Sequence, residues 1–209
     1  MPILSYILTA LGAYLLGSIP FGFLMAKAKG IDIRKAGSGN IGATNALRVL
    51  GKPAGIAVLL LDVAKGFAAV WLCAVLVKQF SANTDLETLR VVAGIGAVLG
   101  HNYTCWLKFK GGKGIATTAG VYLALAPWPL LIALAVFILA IALTRYVSVG
   151  SIAGAVALPA AVWVMTPQNK FLGIVTTALG ALAIYKHKSN IQRLRARTEN
   201  RLGQKKEAK

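Results

Sequence analysis

Residues 128–144 read WPLLIALAVFILAIALT, an uncharged apolar run close to the ~20 residues that a helix needs to cross a bilayer. Runs of the same character occupy residues 3–26, 54–77, 89–107, 115–126, 147–165 and 170–186. The chain of 209 residues is 57% hydrophobic, which is too apolar for a soluble domain of this size. We therefore predict an all-α polytopic membrane helix bundle of about seven transmembrane helices, with one integral-membrane domain over residues 1–195.

Two prolines decide how residues 115–144 are divided. Pro127 and Pro129 flank Trp128, and a proline in the interior of a helix costs ~3 kcal/mol or more. We therefore predict two helices that are broken at this point, and not one long helix.

The basic residues indicate how the helices are oriented. The net charge is +17, and Lys and Arg collect in the gaps 27–53, 107–114 and 145–146 and in the tail from residue 186. Because cytoplasmic loops gather Lys and Arg, these segments should share one side of the membrane. Seven helices achieve this with the N-terminus outside and the C-terminus cytoplasmic, whereas six would divide the segments. We expect a basic cytoplasmic tail over 196–209, and membrane lipids but no nucleic acid as partners.

Two glycine-rich segments indicate a phosphate-handling site. They are the first glycine loop, residues 37–45 (GSGNIGATN), and the second glycine loop, residues 108–114 (KFKGGKG). Glycines let the backbone curl so that several N–H groups point at one anion. Arg48 and Lys113 add charge that suits phosphate better than a neutral ligand. No group of residues with metal-ligand spacing occurs, so no metal or cofactor is predicted.

Each glycine loop leads into a helical pattern. The first enters a helix from Thr44, with Arg48 one turn further on, and a helix N-terminus is itself an anion site. The second opens a helix that carries Thr117 as a donor. It lacks the spacing of a nucleotide-binding P-loop and follows no strand, so nucleotide hydrolysis is not indicated.

Other polar groups lie within or beside the apolar runs. Asp62 and Lys65 can pair at i and i+3 inside a predicted span, as a buried ion pair or as part of a catalytic centre. For His101, a structural and a functional role both remain open. His187, Asn190 and Arg193 step at i, i+3 and i+6 and should share a helix face.

The segment 17–22, GSIPFG, predicts a kink in the first span with close helix packing through small residues. It carries no charge, so this structural interpretation is sufficient for it.

In combination, these motifs resemble the bacterial acyl-phosphate:glycerol-3-phosphate acyltransferase family of integral membrane proteins. The resemblance depends on GSGNIGATNALR (37–48), DVAKG (62–66), GH (100–101), FKGGKGIAT (109–117) and HKSNIQRL (187–194). It implies transfer of a fatty acyl group from acyl phosphate to the 1-hydroxyl of glycerol 3-phosphate, giving lysophosphatidic acid and phosphate. It also implies a seven-helix fold in the bacterial inner membrane, with the active site on the cytoplasmic side.

The resemblance also implies roles for individual residues. The residues that would hold glycerol 3-phosphate and serve catalysis are Ser38, Arg48, Lys113, His187 and Asn190. The predicted substrate-binding set is Gly37, Gly39, Asn40, Thr44, Asn45, His101, Gly111, Gly112, Gly114 and Thr117. The partners would be the two substrates, membrane lipids and the enzyme that makes acyl phosphate.

The residues also suggest how such a reaction would proceed. The chain lacks a GxSxG motif, a Cys–His pairing and an HxxxxD signature, so we expect direct attack by the glycerol hydroxyl without an acyl-enzyme. The donor's phosphate oxygen is the preferred proton acceptor, and His101, His187 and Asp62 are the other candidates. A competing class, a transporter for phosphate or a phosphorylated solute, usually has a mid-bilayer site between repeated halves, and no such halves are visible.

Overall fold

The computed structural model describes residues 2–80 and 84–203, and all regular secondary structure in these ranges is helical. The helices are α1 Pro2–Ser18, α2 Phe21–Lys27, α3 Ala43–Leu50, α4 Lys52–Ala68, α5 Ala74–Phe80, α6 Leu86–Asn102, α7 Ile115–Leu125, α8 Pro127–Thr144, α9 Val147–Met165, α10 Lys170–Lys186 and α11 Lys188–Arg195. A π-helical turn over Ala69–Cys73 joins α4 to α5. The predicted all-α class is confirmed for the described residues.

Four of the described helical segments are long and apolar enough to cross a membrane: Ile3–Lys27, Lys52–Phe80, Pro127–Thr144 and Val147–Met165. Helices α6 and α10 have 17 residues each, and α7 has 11. The chain leaves the helical conformation at Ala126, between α7 and α8, as the proline pair predicts. A count of seven spans and their orientation stay predictions.

The described chain forms two compact units, the first ending at Pro127 and the second beginning at Trp128. In the first unit, α1 and α2 are separated at Ile19 and Pro20, which confirms the predicted kink. A methyl group on Gly17 would lie 2.2 Å from the carbonyl oxygen of Ala97, so α1 and α6 cross with their backbones in contact. Small residues permit this close approach, as expected for helices that pack in a membrane.

Helices α4 and α7 make a second close crossing in the first unit. A methyl group on Gly120 would lie 1.9 Å from the carbonyl oxygen of Val63, and one on Gly66 would lie 2.2 Å from that of Thr117. Glycine is therefore required on both sides of this crossing. The crossing fixes α7, which follows the second glycine loop, against α4.

A cluster of buried apolar side chains brings the two glycine loops to the same end of the first unit. Ile41 of the first glycine loop and Leu107, which directly precedes the second, both belong to it. The remaining buried members are Ala26, Ile33, Ala46 and Val58. Burial of this cluster holds both loops in place beside α2 and α4.

In the second unit, α9 packs on α10. A methyl group on Gly173 would lie 2.8 Å from the Trp163 ring, whose indole Nε1 donates a hydrogen bond of 3.1 Å to the hydroxyl of Thr177. The segment 196–203 folds back onto the turn between α8 and α9, where the guanidinium of Arg145 donates to the carbonyl of Leu202. The rest of the predicted basic tail, residues 204–209, lies outside the described residues.

Candidate functional site

The first glycine loop follows a short 3-10 turn, Ile33–Lys35, that Asp32 caps by accepting from the Arg34 amide. The Arg34 guanidinium donates to both carboxylate oxygens of Asp32 at 2.9 Å and lies 4.9 Å above the Phe23 ring. The hydrogen bond from Arg34 lowers the pKa of Asp32 to about 2. Asp32 therefore stays ionised, and its negative charge is paired with the positive charge of Arg34.

The side chain of Asn45 holds the first glycine loop in place through hydrogen bonds to its backbone. Its amide nitrogen donates to the carbonyls of Ile33 (3.3 Å), Ala36 (3.0 Å) and Asn40 (2.8 Å), and its oxygen accepts from the Ser38 amide at 2.8 Å. Asn45 is only 1% exposed. All its polar atoms therefore bond to the chain itself, and the geometry gives no support to its predicted role in binding substrate.

The tip of this loop presents Ser38 to solvent. Gly37 and Gly39 on either side have φ angles of 61° and 72°, in the left-handed region that favours glycine. All three residues are exposed, as is Arg48, and Thr44 is half-buried in the first turn of α3. Helix α3 begins one residue before the predicted start, and its N-terminus lies beside the loop.

Asn40 supports the entry into α3. Its side-chain oxygen accepts a hydrogen bond of 2.8 Å from the amide of Gly42, which is the residue before the helix. Such a turn satisfies one polar group of the loop without a partner from elsewhere in the fold.

The second glycine loop is bonded to the C-terminal end of α6. The amide of Gly111 donates to the Asn102 carbonyl at 3.2 Å, and that of Gly112 donates to the His101 carbonyl at 3.0 Å. A methyl group would lie 2.0 Å from the His101 carbonyl oxygen if added to Gly111, and 2.1 Å from the His101 Nε2 atom if added to Gly112. A methyl group on Gly114, which has a φ of 82°, would lie 2.7 Å from the side-chain oxygen of Asn102. Close packing against the end of α6 therefore requires glycine at these positions, whether or not the loop binds an anion.

The charged and hydroxyl groups of the second loop differ in exposure. Lys108 and Lys110 are exposed, and Lys113 is half-buried. Thr117, in the first turn of α7, has no exposed surface, and its hydroxyl has no hydrogen-bond partner among the described residues. Lys113 is therefore better placed than Thr117 to meet a ligand that arrives from solvent.

The predicted pairing of Asp62 and Lys65 is confirmed. The Lys65 ammonium lies 2.8 Å from the Asp62 carboxylate, and both side chains are almost completely buried. The ammonium also donates to the Ile19 carbonyl at 2.8 Å, in the break between α1 and α2. The Nδ1 atom of His101 lies 3.6 Å from the same carboxylate oxygen. His101 is 5% exposed, so its predicted contact with substrate gains no support from the geometry.

In the second unit, His187 lies at the junction of α10 and α11. Its Nδ1 lies 2.8 Å from the carbonyl of Ala183, which places the proton on Nδ1. His187 is the residue that precedes α11, so the predicted common helix face does not extend to it. Asn190 and Arg193 do share a face of α11, since both donate to Glu199.

Glu199 is a functional candidate that the motifs did not reveal. Its carboxylate accepts from Ser148 (3.1 Å), Asn190 (2.8 Å) and Arg193 (2.7 Å), and the residue is 7% exposed. Burial raises its pKa, but the hydrogen bonds from Asn190, Arg193 and Ser148 and the charge of Arg193 outweigh burial and leave the pKa lowered. The available signal was its rarity, as one of six acidic residues in a chain with 23 Lys and Arg.

The predicted site residues therefore fall into two groups. Those of the two glycine loops share one end of the first unit, whereas His187 and Asn190 lie in the second unit around the α10–α11 junction. Asn45 in the first group and His187 in the second bond to backbone carbonyls, and Asn190 donates to the buried carboxylate of Glu199. Arg48 and Lys113 supply positive charge close to the loop amides along the chain.

Known proteins resemble this chain along almost its whole length. The sequence profile of the glycerol-3-phosphate acyltransferase family matches residues 7–197. The glycerol-3-phosphate acyltransferase of Desulforamulus reducens is 51% identical over 205 residues, covering 97% of this chain and 98% of that protein. The enzyme of the same name from Geobacter sulfurreducens is 49% identical over 195 residues, covering 93% of this chain and 96% of that protein.

The fold has a counterpart in a solved structure. The crystal structure of PlsY, an integral membrane glycerol 3-phosphate acyltransferase, in its glycerol 3-phosphate form superposes with a TM-score of 0.84 at 40% identity, covering 95% of this chain and 96% of that one. Its lysophosphatidic acid form gives a TM-score of 0.82 at 39% identity. With the match over residues 7–197, these similarities lead to one conclusion. The chain belongs to the glycerol-3-phosphate acyltransferase family and is an integral membrane protein.

Proposed function

We propose that this protein transfers a fatty acyl group from acyl phosphate to the 1-hydroxyl of glycerol 3-phosphate, releasing lysophosphatidic acid and phosphate. The main support is that two glycine loops suited to anions border the same buried apolar cluster of the first unit, in a member of this family. The two reactants and the released phosphate are all anions, so such a reaction needs two places where negative charge is stabilised. A neutral ligand would not require two loops of this kind.

The proposed glycerol 3-phosphate ligands are Ser38, Arg48, Lys113, His187 and Asn190, as the family resemblance implies. Ser38 is exposed at a loop tip, and Arg48 and Lys113 carry the charge that a phosphate dianion requires. His187, with its proton on Nδ1, can accept at Nε2 or bind as a cation. The Asn190 amide nitrogen donates to Glu199, which fixes the side chain, and an amide oxygen is a group that accepts from hydroxyls such as those of glycerol.

The reaction proceeds by direct attack of the hydroxyl on the acyl carbonyl carbon. The bond from that carbon to the phosphate oxygen breaks, and the phosphate leaves with the bonding electrons. Because phosphate is a good leaving group, the protein has to orient the reactants and offset their mutual repulsion, and no covalent nucleophile is needed. The proton of the attacking hydroxyl passes to an oxygen of the donor's phosphate.

The proposed setting is the bacterial inner membrane, with seven spans, the N-terminus outside and the active site on the cytoplasmic side. The concentration of Lys and Arg in a few segments supports this orientation. Residues 1–195 would form one functional domain, followed by a basic tail that lies against anionic lipid. The enzyme that makes acyl phosphate is the proposed partner, since an acyl chain is poorly soluble in water.

The test uses the purified protein with labelled glycerol 3-phosphate and acyl phosphate, acyl-CoA or acyl carrier protein as donor. We expect labelled lysophosphatidic acid with acyl phosphate alone, and its loss in Lys113→Gln but not in Lys52→Gln, an exposed lysine outside both glycine loops. Product formed only from acyl-CoA would refute the proposed donor. Uptake of labelled glycerol 3-phosphate into vesicles without acylation would favour the transporter instead.

A further inference from the structure

The buried ion pair of Asp62 and Lys65 has no part in the proposed reaction, although burying charge is expensive. The carboxylate and the ammonium are 3% and 2% exposed and lie 2.8 Å apart. Replacing such a pair by apolar side chains of similar volume is often neutral or stabilising. A purely structural explanation for the pair is therefore weak, and its other contacts indicate what it does.

The pair connects the break between α1 and α2 to the end of α6. On one side, the Lys65 ammonium donates to the Ile19 carbonyl at 2.8 Å. On the other, the Asp62 carboxylate lies 3.6 Å from Nδ1 of His101. As an acceptor, the carboxylate oxygen favours the imidazole orientation in which Nδ1 carries a proton and faces Asp62. The carboxylate therefore sets the orientation of the ring.

The oriented ring lies directly beneath the second glycine loop. A methyl group on Gly112 would lie 2.1 Å from Nε2 of His101, so ring and loop backbone are in contact. The His101 carbonyl accepts from the Gly112 amide at 3.0 Å, and the neighbouring Asn102 carbonyl accepts from Gly111 at 3.2 Å. A change in the ring orientation would displace the backbone that leads to Lys113.

From this arrangement we propose that Asp62 is a positioning residue for the second glycine loop and acts through the His101 ring. The inference rests on the proposed function, because it gives the loop its phosphate-binding role. It assigns His101 to the support of the loop and not to contact with substrate. It also explains why a carboxylate is kept inside a span of the first unit.

The test compares two charge-neutral double variants. Asp62→Leu with Lys65→Met removes both charges and the oxygen that faces His101 Nδ1. Asp62→Asn with Lys65→Met also removes both charges but keeps an oxygen that can accept from Nδ1. Thr9→Val, a change at another fully buried polar residue of the first unit, is the control.

Two measurements follow each variant. The first is hydrogen exchange of the Gly111 and Gly112 amides in the folded protein, which does not depend on activity. The second is kcat/KM for acyl phosphate. In the Leu variant we expect exchange to be faster and kcat/KM lower, each by at least about tenfold, the factor that ~1.4 kcal/mol of lost stabilisation produces. The Asn variant should recover most of the slow exchange and most of kcat/KM, and Thr9→Val should match the wild type in both measurements.

The outcomes distinguish the positioning role of Asp62 from the proposed function. Equal exchange and equal kcat/KM in the Leu and Asn variants would overturn the positioning role. Absence of acyl transfer in the wild type would refute the proposed function, while the exchange data would still decide the role of Asp62. Should the double variants not fold, His101→Leu leaves the ion pair intact and must show the same local increase in exchange. Wild-type exchange in His101→Leu would overturn the inference.

Discussion

Replacing Glu199 by Gln tests whether the buried carboxylate fixes the end of the second unit. The carbonyl oxygen of a glutamine can still accept from Ser148 and Asn190, as the Oε1 atom does now. Its NH₂ group would face the Nε donor of Arg193, which now donates to Oε2 at 2.7 Å. The substitution therefore removes one charge-assisted hydrogen bond and sets two donors against each other.

The size of the effect follows from that contact. A hydrogen bond to a charged group contributes ~1.5–3 kcal/mol, and the lower part of this range applies because the Arg193 side chain is 32% exposed. We therefore expect Glu199→Gln to lower the free energy of unfolding by about 1–2 kcal/mol. The matched control is Glu87→Gln, an exposed acidic residue in the first turn of α6, where only a few tenths of a kcal/mol are expected.

The assay is unfolding of the purified protein in detergent, followed as a function of pH. Because the pKa of Glu199 is lowered from its ordinary value of 4.5, its stabilisation is complete above that pH. The stabilisation is lost as the pH falls through the lower pKa of the folded state. The difference between wild type and Glu199→Gln should therefore be constant near neutral pH and shrink in acid.

Two results would refute this reasoning. A Glu199→Gln protein as stable as the wild type would show that the contact with Arg193 contributes nothing. A difference that grows as the pH falls would have the wrong sign, and would mean that the folded protein prefers the protonated carboxyl. Activity of the variant is measured in parallel, because Asn190 bonds to the same carboxylate.

Two further substitutions test the packing of the first unit. Asn45→Asp replaces the amide nitrogen, which donates to three carbonyls, by an oxygen that can only accept. Because three hydrogen bonds contribute ~3 kcal/mol, we expect proteolysis of the first glycine loop to be about 100-fold faster. Asn169→Asp keeps its capping acceptor for α10 and is the control; equal proteolysis of both would contradict the role of Asn45. Gly120→Ala should destabilise the α4–α7 crossing by about 1–3 kcal/mol in an unfolding assay, because the methyl group would meet the Val63 carbonyl. Gly154→Ala, whose methyl group has ordinary contacts, should be tolerated, and a similar loss there would argue against a steric cause.

Several features of the fold could be predicted because they depend on local composition. Apolar runs indicated helices near the observed bounds, and Pro127 and Pro129 indicated the break after α7. The spacing of Asp62 and Lys65 predicted their ion pair, because residues at i and i+3 share a helix face whatever the tertiary structure. The glycine loops were recognised because their motif lies within a short stretch of sequence.

The tertiary structure alone decided what these motif residues contact. Asn45 proved to bond to its own loop, and His101 to lie against Gly112, because folding brings together backbone atoms whose positions no periodicity specifies. Glu199 was missed for the same reason, since it follows α11 and its donor Ser148 lies in α9, 51 residues earlier in the chain. Composition and motifs were thus sufficient for the membrane class and the family, which depend on hydrophobicity and local pattern. The division between residues that can meet a ligand and residues that hold them depends on burial and long-range hydrogen bonds, which exist only in the folded chain.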